Sequence, residues 1–238
     1  MRLLAGTSGY AFKEWKGSFY PEDIKPDGML SHYATRFPTV EINNTFYRMP
    51  RENVLQDWAS QVPETFTFAI KASQRITHHA RLRPESKDLV YYLMKSTELL
   101  GEKLGPVLFQ TPPNMKKDID RLQTFLDFLP AGRKFTFEFR NSTWFDEDVV
   151  DALRARDVAM TIIDQDDFAT PPIASASWGY LRLHRLDYDD KALADWAARV
   201  KEESWSEAYV YFKHDEGIGS GPPAVDAFTT LLEQSRST

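Results

Sequence analysis

Eight short strand-like segments that alternate with longer helical segments restrict the fold of this chain more than any other feature. Helical periodicity occupies Lys87–Leu100, Ile119–Leu129, Glu147–Ala155 and Lys191–Lys201. Strands that alternate with helices pair in parallel through right-handed crossovers. The strand-like segments, rich in β-branched and aromatic residues, are Leu3–Ser8, Thr39–Asn43, Phe66–Lys71, Val107–Gln110, Phe135–Arg140, Val158–Ile163, Gly179–His184 and Ala208–Phe212.

Eight strand–helix units within 238 residues match the usual size of one closed barrel. We therefore predict an α/β protein with a single TIM-type (β/α)8 barrel, rather than an open doubly wound sheet. No linker, repeat or low-complexity tract interrupts the chain, so residues 1–238 are predicted to form one domain. The segment between the sixth and seventh strands contains Pro171 and Pro172 and is predicted to be a loop, which makes the barrel irregular.

Composition excludes several classes of function. The absence of cysteine excludes disulfides, thiolate catalysis and cysteine-ligated metal. The apolar run at the start is too short for a signal peptide, and no segment is long enough to span a bilayer, so we expect a cytoplasmic protein without membrane association. A net charge of −6 predicts only weak, non-specific binding of nucleic acid, because such binding depends on neutralising phosphates.

Polar side chains alternate with apolar ones and crowd toward the C-terminal ends of the strands. In the fifth strand, Phe135, Phe137 and Phe139 share one face, and Glu138 and Arg140 share the other. The outer face of a barrel strand packs on helices and must be apolar, so the polar face is predicted to point toward the axis, at the end where barrel active sites lie. The same phase places there Glu41, Asn43, Lys71, Gln110, Arg182 and His184.

Two interpretations of these charges remain open. In the structural one, Glu41 and Glu138 pair with Lys71, Arg140 and Arg182 in a network that fills the barrel. Buried ion pairs seldom stabilise a protein more than apolar packing would, so the second interpretation, a ligand-binding or catalytic site, is favoured.

In the functional interpretation, Glu41 and Glu138 are a general acid and base whose pKa values are split by their neighbours, and His184 is a second acid–base group. Lys71, Arg140 and Arg182 hold an anion. We expect further substrate contacts from Tyr10, Asn43, Tyr47, His78 and Gln110. Two roles stay open for Trp15 and Phe19, stacking on a base or sugar ring or packing over the top of the barrel. The loop after the third strand would attract anions to the same mouth through Arg75, His78, His79, Arg81 and Arg83.

The chain contains residue types that bind metal ions, but they do not follow the spacing of a known metal-binding motif. Asp164 and His214 could join His184 and the two glutamates, yet no HxH or HExxH pattern is present. We therefore predict no metal and no other cofactor. The glycine-rich run at Gly217–Gly221 follows the last strand and is typical of a turn rather than of a phosphate loop.

Several linked motifs are specific to one family. They include GTSGY at Gly6–Tyr10, WxGxFYP at Trp15–Pro21, FxTVEINxTFYRxP at Phe37–Pro50, EFR at Glu138–Arg140 and RLH at Arg182–His184. With these motifs the chain resembles the YecE-like family, also called domain of unknown function 72. The resemblance implies a TIM-type barrel, but it does not indicate a particular activity. Relatives often carry paired asparagines after the last strand, where this chain has Lys213-His214-Asp215.

Taken together, these patterns predict an enzyme with hydrolytic or acid–base chemistry on a small anionic substrate, such as a phosphoester, at the C-terminal mouth of the barrel. The alternative is a non-catalytic barrel that binds nucleic acid or a nucleotide through the basic loop and the nearby aromatic residues. Salt dependence separates the two, because polyanion binding weakens steeply as salt rises.

Overall fold

A computed structural model describes residues 1–213 and 220–234. The strands are β1 (Arg2–Thr7), β2 (Thr39–Ile42), β3 (Thr67–Lys71), β4 (Leu104–Gln110), β5 (Phe135–Glu138), β6 (Ala159–Met160), β7 (Ile162–Asp164), β8 (Gly179–Leu183) and β9 (Glu207–Phe212). The α-helices are α1 (Met29–Ala34), α2 (Glu52–Ser60), α3 (Lys87–Thr97), α4 (Ile119–Leu126), α5 (Glu147–Arg154), α6 (Asp190–Glu202) and α7 (Gly221–Gln234). None of the described helices is long and apolar enough to cross a bilayer.

All eight predicted strand segments form strands, but the sixth is divided at Thr161 into β6 and β7. The predicted loop that follows, which contains no helix, bends back along this strand. The Met160 N–H donates to Ser175 Oγ at 2.7 Å, and the Ile163 N–H donates to Thr170 Oγ1 at 2.9 Å. Loop hydroxyls therefore accept the backbone hydrogen bonds that a neighbouring strand would otherwise accept.

The strands form two parallel sheets with the orders β1-β9-β8-β7 and β2-β3-β4-β5-β6. A single described bridge joins the edge strands β1 and β2: Ser8 pairs with Glu41, and the Gly9 N–H donates to the Glu41 carbonyl at 2.8 Å. The predicted α/β class with parallel pairing is confirmed. Closure of the two sheets into one barrel stays a prediction.

Both faces of the strands are buried, as parallel sheets covered by helices require. The outer face belongs to the main core, where the ring centres of Phe137 and of Phe125 in α4 lie 5.9 Å apart. The inner face forms a second, smaller cluster around Tyr180 and Tyr211. Polar groups on this face are hydrogen-bonded, since Tyr211 and Thr39 hydroxyls lie 2.8 Å apart. The predicted alternation of strand side chains between two faces is therefore confirmed.

The N-terminal aromatic residues pack as a structural cluster. Trp15 is buried, and its ring centre lies 5.7 Å from that of Phe19. The Phe19 ring stacks on the Phe37 ring, with 5.4 Å between their centres. Of the two roles left open for Trp15 and Phe19, the structure shows packing.

Candidate active site at the carboxyl ends of the strands

A pocket of about 540 Å³ lies at the carboxyl ends of β1, β2, β3 and β8. This is the end of the strands at which the sequence predicts the site. The residues that line the pocket are Ser8, Gly9, Tyr10, Ala11, Phe12, Ile42, Asn43, Asn44, Phe46, Tyr47, Lys71, Arg182, His184 and Lys213.

Two glycines bring the end of β1 to this pocket. A Cβ on Gly6 would lie 2.1 Å from the Thr39 carbonyl oxygen, so no other residue permits β1 to approach β2 so closely. Gly9 has a φ of +98°, a backbone conformation that residues with a side chain rarely adopt, and it turns the chain away from the strand. The two positions place Ser8 opposite Glu41.

Arg182 is the centre of a buried ion-pair network below the pocket. Glu41 and Glu138 both have 0% exposure, and Arg182 has 5%. The Arg182 guanidinium donates from Nη2 to Glu41 Oε1 at 3.0 Å and from Nη1 to Glu138 Oε2 at 2.5 Å. One planar guanidinium thus spans two carboxylates, a geometry that the point charge of a lysine could not provide.

The remaining carboxylate oxygens are also hydrogen-bonded. Glu41 Oε2 accepts from the Tyr180 hydroxyl at 2.6 Å. Glu138 Oε1 accepts from Gln110 Nε2 at 2.5 Å and from Arg140 Nε. Each buried negative charge is therefore both paired and solvated by protein groups, as burial requires.

Both carboxylates are ionised at neutral pH. Burial alone would raise the pKa of Glu41, but Arg182 overcomes this effect and lowers the pKa to about 2. Burial likewise opposes ionisation of Glu138, but Arg182 and Arg140 overcome this effect and hold its pKa well below its usual value. The expectation that the two pKa values are split is wrong, because the same cation lies between both carboxylates.

His184 connects to Glu41 through a serine. The Ser8 hydroxyl donates its proton to Glu41 Oε1 at 2.7 Å, so Ser8 Oγ must accept from His184 Nε2 at 2.8 Å. This bond fixes the proton of the neutral imidazole on Nε2 and leaves Nδ1 as an acceptor. Burial and Arg182 lower the pKa of His184 to about 3, so the ring is neutral at pH 7.

Lys71 has no carboxylate within 4.0 Å in the part of the chain that the structure describes. Its Nζ lies 4.5 Å from the centre of the Phe46 ring. Burial and Arg182 lower the pKa of the Lys71 amine to about 8, although Glu138 and Glu41 partly offset the effect. The structural interpretation paired Lys71 with these glutamates, and this pairing is wrong because Arg182 occupies both.

Asn43 offers the pocket a hydrogen-bond acceptor. Its Nδ2 donates to Glu41 Oε1 at 3.0 Å, and a carboxylate accepts only, so the amide cannot be reversed. Its Oδ1 is buried and has no partner among the described residues. Since Asn43 lines the pocket, a ligand hydroxyl or amine would satisfy this oxygen.

The other predicted contact residues divide between two pockets. Tyr10 is half-buried in the main pocket, and Tyr47, with 74% exposure, lies at its rim. His78, Gln110 and Arg140 instead line a second pocket of about 430 Å³. The His78 ring packs edge-to-face on Phe46 at 5.0 Å, and burial and Lys71 lower its pKa.

Two groups of predicted residues lie elsewhere. Asp164 accepts at 2.8 Å from Trp196 Nε1 of α6 and at 2.8 Å from Nε of Arg185, which precedes α6. Arg75 lines a separate groove, and Arg81 donates to Asn114 at 3.2 Å, so the basic loop does not converge on the main pocket. Within residues 1–213 and 220–234, no three histidine, aspartate or glutamate side chains cluster as metal ligands. His214, Asp215 and most of Gly217–Gly221 lie outside the described residues.

Sequence reasoning missed Ser8 and Tyr180 as site residues. Tyr180 shares the inward phase of Arg182, and Ser8 ends the first predicted strand within the GTSGY motif. The strand phase of Tyr180 and the position of Ser8 within that motif are the signals that could have identified them.

The fold and the site define an α/β protein of parallel sheets with a polar pocket at the carboxyl ends of its strands. The family model described as "Protein of unknown function DUF72" matches residues 4–238, and the chain belongs to this family. It is 25% identical to the UPF0759 protein YunF of Bacillus subtilis, over 91% of this chain and 89% of that one. It is 32% identical to the UPF0759 protein YecE of Escherichia coli K12, over 49% of this chain and 43% of that one. The resemblance to the YecE-like family is confirmed.

Two solved structures share the fold. A DUF72 family protein from Thermotoga maritima matches all of this chain and all of its own, with a TM-score of 0.82 and 24% identity. A DUF72 family protein from Enterococcus faecalis matches 97% of this chain and 95% of its own, with a TM-score of 0.81 and 17% identity. At this identity the likeness concerns the fold alone.

Proposed function

We propose that the protein is a cytoplasmic, single-domain enzyme that performs acid–base chemistry on a small anionic substrate. One observation carries the proposal: the main pocket contains a neutral imidazole, His184, and a lysine amine, Lys71, without a carboxylate partner in the described chain. Groups with shifted pKa values in a concave site are the usual mark of catalysis.

The proposal includes a closed (β/α)8 barrel. Support comes from the two places where the sheets meet, since Ser8 and Glu41 bridge one edge and Thr161 alone separates β6 from β7 at the other. In a closed barrel the pocket lies at the C-terminal mouth, where barrel enzymes hold their catalytic groups.

Charge balance supports an anionic substrate. Within the network, Glu41 and Glu138 balance Arg182 and Arg140, so a protonated Lys71 adds a positive charge to the pocket, which Lys213 also lines. A cleft with low-dielectric walls concentrates the field of such a charge and attracts anions. Arg182 is occupied by both carboxylates, and its part in this proposal is to position them rather than to contact substrate.

The proposed chemistry uses two groups. His184 Nδ1 accepts a proton from substrate or from water, and Glu41, reached through Ser8, stabilises the imidazolium that forms. Lys71 serves as a second base or holds the anion. Hydrolysis of a phosphoester is one reaction within this scheme, with His184 activating the water. In this scheme Glu41 and Glu138 act through their neighbours and do not transfer protons themselves.

A test of the proposal is a panel of phosphate mono- and diesters and carboxylate esters assayed with the parent protein, His184→Gln and Lys71→Met. Removing a general acid–base group typically costs 10²–10⁴-fold in rate, so we expect kcat/KM to fall by about 100-fold or more in both variants. If Lys71 acts as a base, the rate rises as pH increases through about 8.

Lys87→Met is the matched control, because Lys87 is exposed and lies 5.8 Å from a phenylalanine ring, Phe128, away from the pocket. Unchanged kcat/KM in His184→Gln and Lys71→Met, for a substrate that the parent turns over, would contradict the proposal.

A second candidate function, binding of a polyanion, rests on a separate groove. This groove of about 360 Å³ lies next to the main pocket, shares Tyr47 with it, and is lined by Arg48, Arg51, Arg75 and Tyr92. None of the three arginines has a carboxylate within 4.0 Å among the described residues. Unpaired cations beside exposed aromatic rings suit phosphates and bases of a single strand.

Fluorescence titration of a labelled single-stranded oligonucleotide against salt tests this candidate. For single strands, each phosphate contact makes the slope of log K against log salt more negative by about 0.7. Exchanging the three arginines for glutamine should therefore make the slope less steep by about 2. An identical exchange of Arg36, Arg154 and Arg156, which pair with Asp226, Asp151 and Asp127, is the control. Binding that is as strong and as salt-dependent in the groove variant as in the control excludes this groove.

A further inference from the structure

We propose that Lys71 forms a Schiff base with the carbonyl carbon of a small anionic aldehyde or ketone in the main pocket. The inference rests on the proposed function and names its substrate class. It also assigns Lys71 as the residue that reacts covalently.

The arrangement of the ion pairs is the geometric basis. Two buried carboxylates lie close to Lys71, yet their oxygens already accept from Arg182, Tyr180 and Gln110. Lys71 is therefore the inward cation that the network leaves without an ion pair, within the residues the structure describes. A lysine whose purpose was to neutralise a glutamate would be paired with one.

The position of Lys71 is fixed, and its amine faces the pocket. It ends β3, where its carbonyl accepts from the Thr45 hydroxyl at 2.7 Å and its Cα pairs with that of Leu108. The side chain passes over the Phe46 ring, with Nζ 4.5 Å from the ring centre. A fixed stem with a reactive end in a concave pocket is what a nucleophilic lysine requires.

Only the neutral amine attacks a carbonyl, so the surroundings must favour deprotonation. Burial and the neighbouring Arg182 lower the pKa of Lys71 to about 8. At pH 7 about a tenth of the amine is then neutral, against less than a thousandth for a free lysine of pKa about 10.4. Desolvation next to another cation is a known means of activating lysine.

The bond changes balance without an oxidant or reductant. The Nζ lone pair attacks the carbonyl carbon, a C–N bond forms, and the C=O π bond breaks. His184 Nδ1 takes one proton from nitrogen and returns it to oxygen, which gives the carbinolamine. The C–O bond then breaks, oxygen leaves as water with the second proton from nitrogen, and the neutral imine remains.

The pocket suits a polar substrate of this class. Asn43 Oδ1 would accept from a hydroxyl on the substrate, since it has no partner among the described residues. A second lysine, Lys213, lines the same pocket and must be distinguished from Lys71 in any test.

The experiment uses pyridoxal 5′-phosphate, an anionic aldehyde, with the full-length protein. Imine is trapped with borohydride, and the modified residue is identified by peptide mass mapping. We expect about one equivalent of label on Lys71, faster labelling as pH rises through about 8, and loss of this label in Lys71→Arg. Lys87→Arg is the control and should label as the parent does.

Pyridoxine 5′-phosphate, which carries the same phosphate but no aldehyde, separates the inference from the proposed function. We expect it to bind the parent in calorimetry and to slow the labelling of Lys71. Label that spreads over exposed lysines or falls on Lys213, while pyridoxine 5′-phosphate still competes or binds, overturns the Schiff base and leaves the anion site standing. If Lys71 is not labelled and neither compound binds, both proposals are overturned. A melting curve for Lys71→Arg confirms that lost labelling does not reflect unfolding.

Discussion

Replacement of Arg182 by methionine is expected to lower the melting temperature by about 6–20 °C. The change leaves Glu41 and Glu138, both fully buried, without the cation that they share. Breaking a buried pair by removing one partner costs about 3–5 kcal/mol. In a chain of this size each kcal/mol shifts the melting temperature by about 2–4 °C. Thermal unfolding followed by circular dichroism measures the shift.

Two variants make this result specific. Arg36→Met removes an exposed arginine that pairs with Asp226 at 3.0 Å, and we expect almost no shift, because such pairs contribute little. Glu138→Gln removes the carboxylate that pairs with Arg140 but leaves Arg182 paired with Glu41, so its melting temperature should fall by less than that of Arg182→Met. A loss in Glu138→Gln as large as in Arg182→Met would contradict the central role of Arg182 in the network.

Acid is expected to destabilise the protein steeply between about pH 4.5 and pH 2. The folded state holds the pKa of Glu41 at about 2 against an ordinary 4.5. A carboxylate whose pKa is lowered by folding stabilises the fold fully above its unfolded pKa, and the stabilisation is lost as pH falls toward the folded value. One pKa unit corresponds to about 1.4 kcal/mol, so Glu41 alone would lose about 3 kcal/mol across this range. Glu138 adds a loss of the same sign, since its pKa is also lowered.

Urea unfolding at a series of pH values measures this dependence. Glu41→Gln keeps the shape of the side chain but cannot titrate, so its stability should be lower at pH 7 and fall less on acidification. Parallel curves for the parent and Glu41→Gln between pH 4.5 and pH 2 would show that Glu41 is not the responsible group.

The part of the site that follows strand periodicity was predictable from the sequence. A strand turns alternate residues to opposite faces, so the apolar phase of Phe135 and Phe137 fixed the inward direction of Glu138. The same argument brought Glu41 and Arg182 to the network. It depends only on backbone geometry, and it therefore survives small errors in strand bounds.

The choice of partners was not predictable. Several cations share the inward face, and only the observed distances reveal that Arg182, rather than Lys71, spans both glutamates. Asp164 follows a strand with no clear alternation, so position alone did not reveal that it turns toward Trp196. Periodicity predicts the face of a residue, whereas pairing depends on side-chain reach and on the stagger between strands.

The main pocket is built from both sheets. Ser8 and His184 come from the sheet that contains β1 and β8, and Asn43 and Lys71 come from the sheet that contains β2 and β3. A ligand that touches all four residues is therefore a cross-link between two halves of the molecule, joined at this edge by one described backbone bridge. Ligand binding and the contact between the two sheets are therefore expected to be thermodynamically linked, so a ligand bound in the pocket would also stabilise the junction of the sheets.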